Sequence, residues 1–341
     1  MTMVTSVPNA ADKLDTAAGR AERPVLAREA DATYWMSRYV ERTENVARLL
    51  LASMECMIDV RDVAPALLEK QWRAVLRIMN VEEPAAPADS TETFADAVAS
   101  HMTFDEENPN SLVACLTRAR ENARGIREGI SSDMWEHLNR QYWAIRAPET
   151  RTLFQESPHE LYKESISGAM SFQGLTDQTL PHDQRWHFAQ LGKYFERITF
   201  TCRVLAEDTG MLRASAADVS FRNLHWSTVL RCCNSHEAHR RANPGEMEPV
   251  TIMAFLLLDP SFPRSVRHCV RMAKESISAI SAEVRPRTVD PAERILGRLQ
   301  AQLEFTDAAE FLAAGLAPRL DHVVQQTALA ALAVQKGYFL H

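Results

Sequence analysis

A short charged word, Tyr39-Val40-Glu41-Arg42, sits inside an otherwise apolar helical pattern and recurs as Tyr194-Phe195-Glu196-Arg197. The later arginine and the closing leucine, Arg48 and Leu50, recur in step as Arg203 and Leu205. The repeat is larger than the word. Trp72, Val75, Leu76, Arg77 and Asn80 match Trp226, Val229, Leu230, Arg231 and Asn234 at an offset of 154, one less than the 155 from Glu41 to Glu196. Asp105, Pro109, Ser111, Cys115 and Glu121 match Asp259, Pro263, Ser265, Cys269 and Glu275, again at 154. A near-constant offset over three separated blocks marks two related units in one chain. Two such halves, packed about a pseudo-two-fold axis, would bury long apolar faces that neither covers alone.

No proline interrupts Ala27 to Val60, where Trp35, Tyr39, Val46, Leu49, Leu50, Met54 and Met57 fall at helical spacing. That predicts a helix of roughly 50 Å, long enough to span the molecule. A second helix follows Pro65, and Glu82 to Ser90 reads as a loop. Asn108-Pro109 reads as an N-cap with proline at the first helical position, opening a helix to about Ile130. Ser131 to Asp133 starts the next. A short helix from His159 to Phe172 then precedes the turn-like Gly174 to Asp177.

The second word lies on a helix from Asp183 to Leu212, followed by helices over Leu224 to Arg241, Pro249 to Leu258 and Pro263 to Val284. Asp290-Pro291-Ala292-Glu293 is a capping box, Asp307 opens a further helix, and the last runs from Arg319 to Tyr338. No run shows β-branched alternation bounded by turn residues, so the expected class is all-α, with long central helices. The expected units are a flexible tail over 1–24, a first helical repeat over 25–150, a connector with a short helix over 151–181 and a second repeat over 182–341. Together they form one compact domain.

On a helical wheel Arg42 falls within the apolar arc, between Leu49 and Trp35, with Glu41, Asn45 and Arg48 just beside it. Arg197 lies likewise between Val204 and Thr201, with Glu196 and Arg203 at the edge. Each half therefore aims an arginine at its core, and a buried guanidinium needs a carboxylate or carbonyl partner. The candidate polar centre is Glu41, Arg42, Asn45, Arg48, Glu196, Arg197 and Arg203. It reads either as a structural ion-pair lattice between the halves or as a pocket whose arginines hold a carboxylate or phosphate bidentately.

Other chemistry is sparse. A net charge of −7 and a pI near 5.9 argue against a broad nucleic-acid footprint. The six cysteines form no C-x-x-C pair and read as buried, reduced thiols of a cytoplasmic protein. The N-terminus carries no apolar run of signal-peptide length, and Met253 to Leu258 is far too short to cross a membrane. His236 and His239, three apart, read as a polar helix face, and Glu156 and His159 flank Pro158, so no metal is expected. No phosphate loop, dinucleotide fingerprint or nucleophile elbow is present, and no cofactor is expected.

The stretch Ala32 to Leu50 resembles the opening of the bacterial Alpha-E family, an α-helical domain named for its Glu-Arg motif. The resemblance continues through Phe172 to Asp177, Leu191 to Arg197, Glu237 to Arg241 and Leu258 to Val266, and covers about Leu26 to Phe339. The chain departs from the family pattern at Lys193, where arginine is usual, and at Ile198 to Phe200, which lack the usual acidic residue. His236 and His239 also stand where the family often has a small residue or tyrosine.

The resemblance implies a partner subunit of a circularly permuted ATP-grasp protein, with a transglutaminase-like protein often nearby. The implied role is ATP-dependent amide-bond formation or peptide modification. On that reading the chain is not catalytic alone. Two other roles stay open: an enzyme using the Glu/Arg centre on a carboxylate- or phosphate-bearing substrate, and a structural scaffold or oligomer.

Overall fold

The computed structural model describes residues 25–60, 65–84, 93–214, 219–245, 247–284, 288–307 and 315–339. The expected tail over 1–24 and residues 308–314, on which the helix expected from Asp307 falls, lie outside them. Among the described residues all regular structure is helical. No helix there is long and apolar enough to cross a membrane.

Two long helices form the centre: α1, Ala27–Val60, and α8, Gln184–Ala214. They run side by side in the same direction, since Glu29 meets Arg185, Tyr34 meets Gly192 and Arg42 meets Glu196. Between them come α2 (Pro65–Met79), α3 (Phe94–Phe104), α4 (Leu112–Gly125), α5 (Ser132–Arg146), α6 (Pro148–Glu156) and α7 (Pro158–Thr179). After α8 come α9 (Val219–Cys232), α10 (His236–Ala242), α11 (Pro249–Leu258), α12 (Val266–Val284), α13 (Pro291–Glu304) and α14 (Leu316–Val334). Helix α1 is flanked by α4, α7 and α9 as well as α8, while α8 is flanked by α12 and α14. One continuous apolar cluster joins residues of α1, α2, α8, α9 and α12, including the fully buried Trp72 and Trp226.

Local chemistry explains the boundaries, including those that differ from expectation. The helix expected from Asn108-Pro109 starts three residues later, because the Ser111 hydroxyl accepts from Ala114 N and so acts as N-cap. Asn108 instead accepts from Asn110 N through its side-chain Oδ1 in a turn. The same displacement moves the start expected at Pro263 to Val266, where Ser265 Oγ accepts from His268 N. The helix expected to stop at Phe172 continues through Gly174 to Thr179, since one glycine costs a helix only about 1 kcal/mol. The single helix expected over Leu224 to Arg241 breaks at Asn234, which takes the left-handed conformation with φ 50°. Asn80 does the same at the end of α2, with φ 53°. In both places the following N–H reaches back to a carbonyl five residues earlier, Val81 to Leu76 and Ser235 to Leu230, closing the helix in a Schellman-type cap.

Gly192 sets how closely the central helices approach. A Cβ there would stand 2.2 Å from the Tyr34 carbonyl oxygen, a backbone atom that cannot swing aside. Gly174 has nothing within 4 Å of its equivalent point. Gly192→Ala should therefore destabilise the protein by about 1–3 kcal/mol or more, whereas Gly174→Ala should stabilise it by up to about 1 kcal/mol. Urea unfolding followed by circular dichroism reads both, and equal effects would contradict the close helix contact.

Candidate functional site

The parallel packing of α1 and α8 brings the two charged words face to face. Arg42 donates from Nε to Glu196 Oε1 at 2.6 Å and from Nη2 to Oε2 at 2.9 Å. Arg197 donates from Nε and Nη2 to Glu41 Oε1 and Oε2, both at 2.8 Å. Each word thus supplies the other's counter-charge through a bidentate fork. The remaining guanidinium nitrogens are also engaged. Arg42 Nη1 donates to Asn110 Oδ1 at 2.9 Å, and Arg197 Nη1 to the Pro263 carbonyl at 3.1 Å. Asn110 is anchored in turn by its amide nitrogen, which donates to the Met79 carbonyl at 2.9 Å.

A second ring of partners surrounds the forks. Arg38 Nε donates to Glu196 Oε2 at 2.8 Å, and its Nη1 to the Tyr34 hydroxyl at 2.6 Å. Arg264 Nη2 lies 3.2 Å from Glu41 Oε1 and also pairs with Glu44, while its Nη1 donates to Asn45 Oδ1 at 3.0 Å. The Gln173 amide donates to Glu41 at 2.7 Å and to Glu44 at 3.1 Å. Arg48 Nε donates to Glu44 at 2.8 Å.

The candidate residues therefore do not all share one contact. Glu41, Arg42, Glu196 and Arg197 form the centre. Asn45 joins through Arg264 and Arg48 through Glu44. Among the described residues Arg203 donates to the Ile78 carbonyl, at 3.5 Å, and to no member of the centre.

Depth within the site differs from the wheel expectation. Glu41 is completely buried, whereas the Arg42 side chain is 17% exposed. A wheel assumes one buried face, but α1 packs against α4, α7, α8 and α9 and buries almost its whole circumference near the word. Arg38, Glu44, Asn110, Gln173 and Arg264 were missing from the sequence candidates. The repeat carries a signal for three of them, because Arg38 matches the basic Lys193 three residues before the glutamate, and Asn110 and Arg264 hold the same place between the matched proline and serine of their blocks. Gln173 belongs to neither repeat block, and no spacing points to it.

Electrostatics follow from this geometry. Burial alone would raise the Glu196 carboxyl, but the charges of Arg42 and Arg38 outweigh it and hold the group at about 2. Glu41 is likewise pushed up by burial and brought well below the ordinary range by Arg197 and Arg264. Burial works to lower Arg42 and Arg197, and their carboxylate partners raise both instead. Cys115 and Cys269, near Arg42 and Arg197 respectively, are each pushed up to about 12 by burial and remain thiols at neutral pH.

The paired carboxylates are ionised and saturated, so neither serves as a general acid or base near pH 7. The forks cannot grip a ligand without releasing each other. Among the described residues no group of three histidine, cysteine or acidic side chains is placed to hold a metal. Glu156 ends α6 while His159 lies in α7, and His239 is buried beside Phe255.

Fold and site together define an all-helical domain whose two central helices exchange Glu-Arg pairs. The chain belongs to the Alpha-E family, a predicted alpha-helical domain with a conserved ER motif, whose model matches residues 25–339. It is 26% identical over 309 residues to an uncharacterized protein of Mycobacterium bovis, and 25% identical over 309 residues to one of Mycobacterium tuberculosis strain H37Rv. Each match takes in 84% of this chain and 34% of the relative, so the chain spans about a third of the length of the curated relatives it matches. No solved structure matches the chain.

Breaking one fork strands a buried charge. Arg197→Met should cost about 3–5 kcal/mol, and the double variant Arg197→Met with Glu41→Met appreciably less than the two singles together. Additive costs in urea unfolding would show that the fork is not a coupled unit. The carboxyl shift sets a pH window. Because the folded Glu196 sits below its ordinary 4.5, its contribution is complete above about pH 4.5 and is lost as pH falls towards about 2. Stability should fall across that interval, and less steeply in Glu196→Gln.

Proposed function

We propose that the chain is a non-catalytic helical partner of an ATP-grasp-type amide ligase acting in peptide or amino-acid modification. The observation that carries this reading is the saturation of the Glu/Arg centre. Arg42 and Arg197 spend their donors on Glu196, Glu41, Asn110 and Pro263, which favours a structural clasp over a substrate pocket. A further support is that the curated relatives carry the matching region within much longer chains. A domain that works beside further polypeptide in those chains suits a partner role here. The ATP-grasp identity of the partner, and a transglutaminase-like protein nearby, rest on the family resemblance. A cytoplasmic location accords with the buried thiols of Cys115, Cys202 and Cys269.

The same reading takes the clasp as the join between two related halves about a pseudo-two-fold axis running along α1 and α8. Several matched pairs support that relation. Trp72 and Trp226 are both fully buried, and Asn80 and Asn234 share the left-handed conformation. Ser111 donates to the Asp105 carbonyl as Ser265 does to that of Asp259.

Co-expression with a circularly permuted ATP-grasp protein tests the proposal. The expected result is a stable complex in which ATP turnover with an amino-acid or peptide acceptor rises when this chain is present. Absence of a complex, with turnover unchanged, would sink the partner reading. Ligation or hydrolysis of a peptide by the isolated chain, lost in a folded Arg42→Ala variant, would replace it with the enzyme reading.

A further inference from the structure

The matched positions in the two halves expose one cation that lacks the direct ion pair its counterpart makes. Arg38 in α1 corresponds to Lys193 in α8 at the offset of 155 that relates Glu41 to Glu196. Arg38 donates to Glu196, the carboxylate of the opposite word. The equivalent acceptor for Lys193 is Glu41, but Arg197, Arg264 and Gln173 already take its oxygens. Arg264 stands where the other half has the neutral Asn110, and its arrival accounts for the difference.

Lys193 is left only 8% exposed and makes no hydrogen bond or ion pair among the described residues. Its ammonium lies 4.7 Å from the centre of the Tyr194 ring. Tyr194 is also nearly buried, packs its ring against His268 and makes no hydrogen bond among the described residues. Lys70, Lys163 and Lys336 are exposed and Lys274 half-buried, so Lys193 stands apart from the other described lysines.

A largely buried ammonium with no hydrogen-bond acceptor among the described residues is under-solvated, and an oxyanion brought to it supplies the missing acceptor. The charged and titratable groups around it are Arg197, Asp177, Glu41 and Cys269, with His268 beyond the tyrosine ring. Glu41 is already answered by two arginines. Asp177 accepts from the Trp186 indole and the Gln190 amide through one oxygen.

We propose that Lys193, set in α8 against the Asp177 end of α7 and the Cys269 turn of α12, is an oxyanion-binding site for a small carboxylate or phosphate. The bound oxygen takes the role that Glu196 plays for Arg38. The proposal stands on the local geometry and holds whether or not the chain partners a ligase. Burial first, and then the Arg197 charge, lower the Lys193 amine to about 8. Only the protonated form attracts an anion, so affinity should weaken as pH rises through about 8, and a bound anion should raise the amine again.

The test is nuclear magnetic resonance of the full chain carrying isotope-labelled lysine, with the Lys193 Cε signal assigned by its loss in Lys193→Arg. Sodium acetate and inorganic phosphate are titrated separately against sodium chloride at matched ionic strength. The expected result is a saturable shift at Lys193 in one or both, with the other lysines following chloride, and an upward move of its titration midpoint. Saturation by acetate alone identifies a carboxylate site, and by phosphate alone a phosphate site. Calorimetry of the same anion should show binding weakened at least about tenfold in Lys193→Met and retained in Lys193→Arg, both with wild-type circular dichroism. A Lys193 signal that moves no more in either anion than in chloride overturns the proposal. So does unchanged anion binding by a folded Lys193→Met.

Discussion

Two guanidinium–carboxylate forks, buried between parallel helices, govern how the rest of this molecule is placed. Taking four charges out of water carries a desolvation cost that mutual attraction only roughly repays, so the forks are poor candidates for the main source of stability. What they impose is register. A slip of α8 by one residue along α1 would rotate Glu196 and Arg197 by about 100° and strand all four charges in an apolar interior. Gly192 supports the same register from the other side, because only a residue without a Cβ fits beneath the Tyr34 carbonyl. Charge pairing and close packing therefore select one alignment of the central helices. The outer helices inherit it, since α2 bonds to α8 through Arg77 and Glu207 while α9 bonds to α1 through Arg231 and Glu55.

Much of this was readable in the sequence because it depends on local or repeated signals. The limits of α1 and α11 follow from uninterrupted apolar spacing and from proline at a first position. Asp290 caps its helix as its spacing suggests, accepting from Ala292 N and Glu293 N, while the Glu293 carboxylate accepts from Ser278 and Ser281. The residual errors have one physical origin: competition between two local signals of similar strength. Asn108-Pro109 and Ser111 both offer helix starts, and the serine wins because its hydroxyl can also donate to the Asp105 carbonyl. At Asn234 a helical pattern on both sides hides a left-handed residue that only side-chain size and polarity permit.

The candidate site was legible in its identity and not in its wiring. The Glu-Arg words announced themselves, but a wheel treats each helix alone and cannot say that Glu41 answers Arg197 rather than Arg42. Nor can it foresee that Glu41 is the most deeply buried of the four. Residues such as Gln173 and Arg264 enter from α7 and from the turn before α12, separated in sequence from the word they serve. Their contribution is a tertiary fact.

The two halves of the centre also differ in a way that balances charge locally. Where the second half places Arg264, the first has the neutral Asn110; where α1 places Glu44, α8 has Thr199, whose hydroxyl turns back to the Phe195 carbonyl. The extra cation and the extra anion thus meet each other on one side of the clasp and are both absent from the other. Lys193 stands outside that compensation. Its counterpart Arg38 pairs with Glu196, where the first half has the neutral Asn110 rather than a third arginine, whereas Arg264 already engages Glu41. Within a clasp where the paired words satisfy each other, that one displaced pairing leaves an ammonium open to a partner from outside the chain.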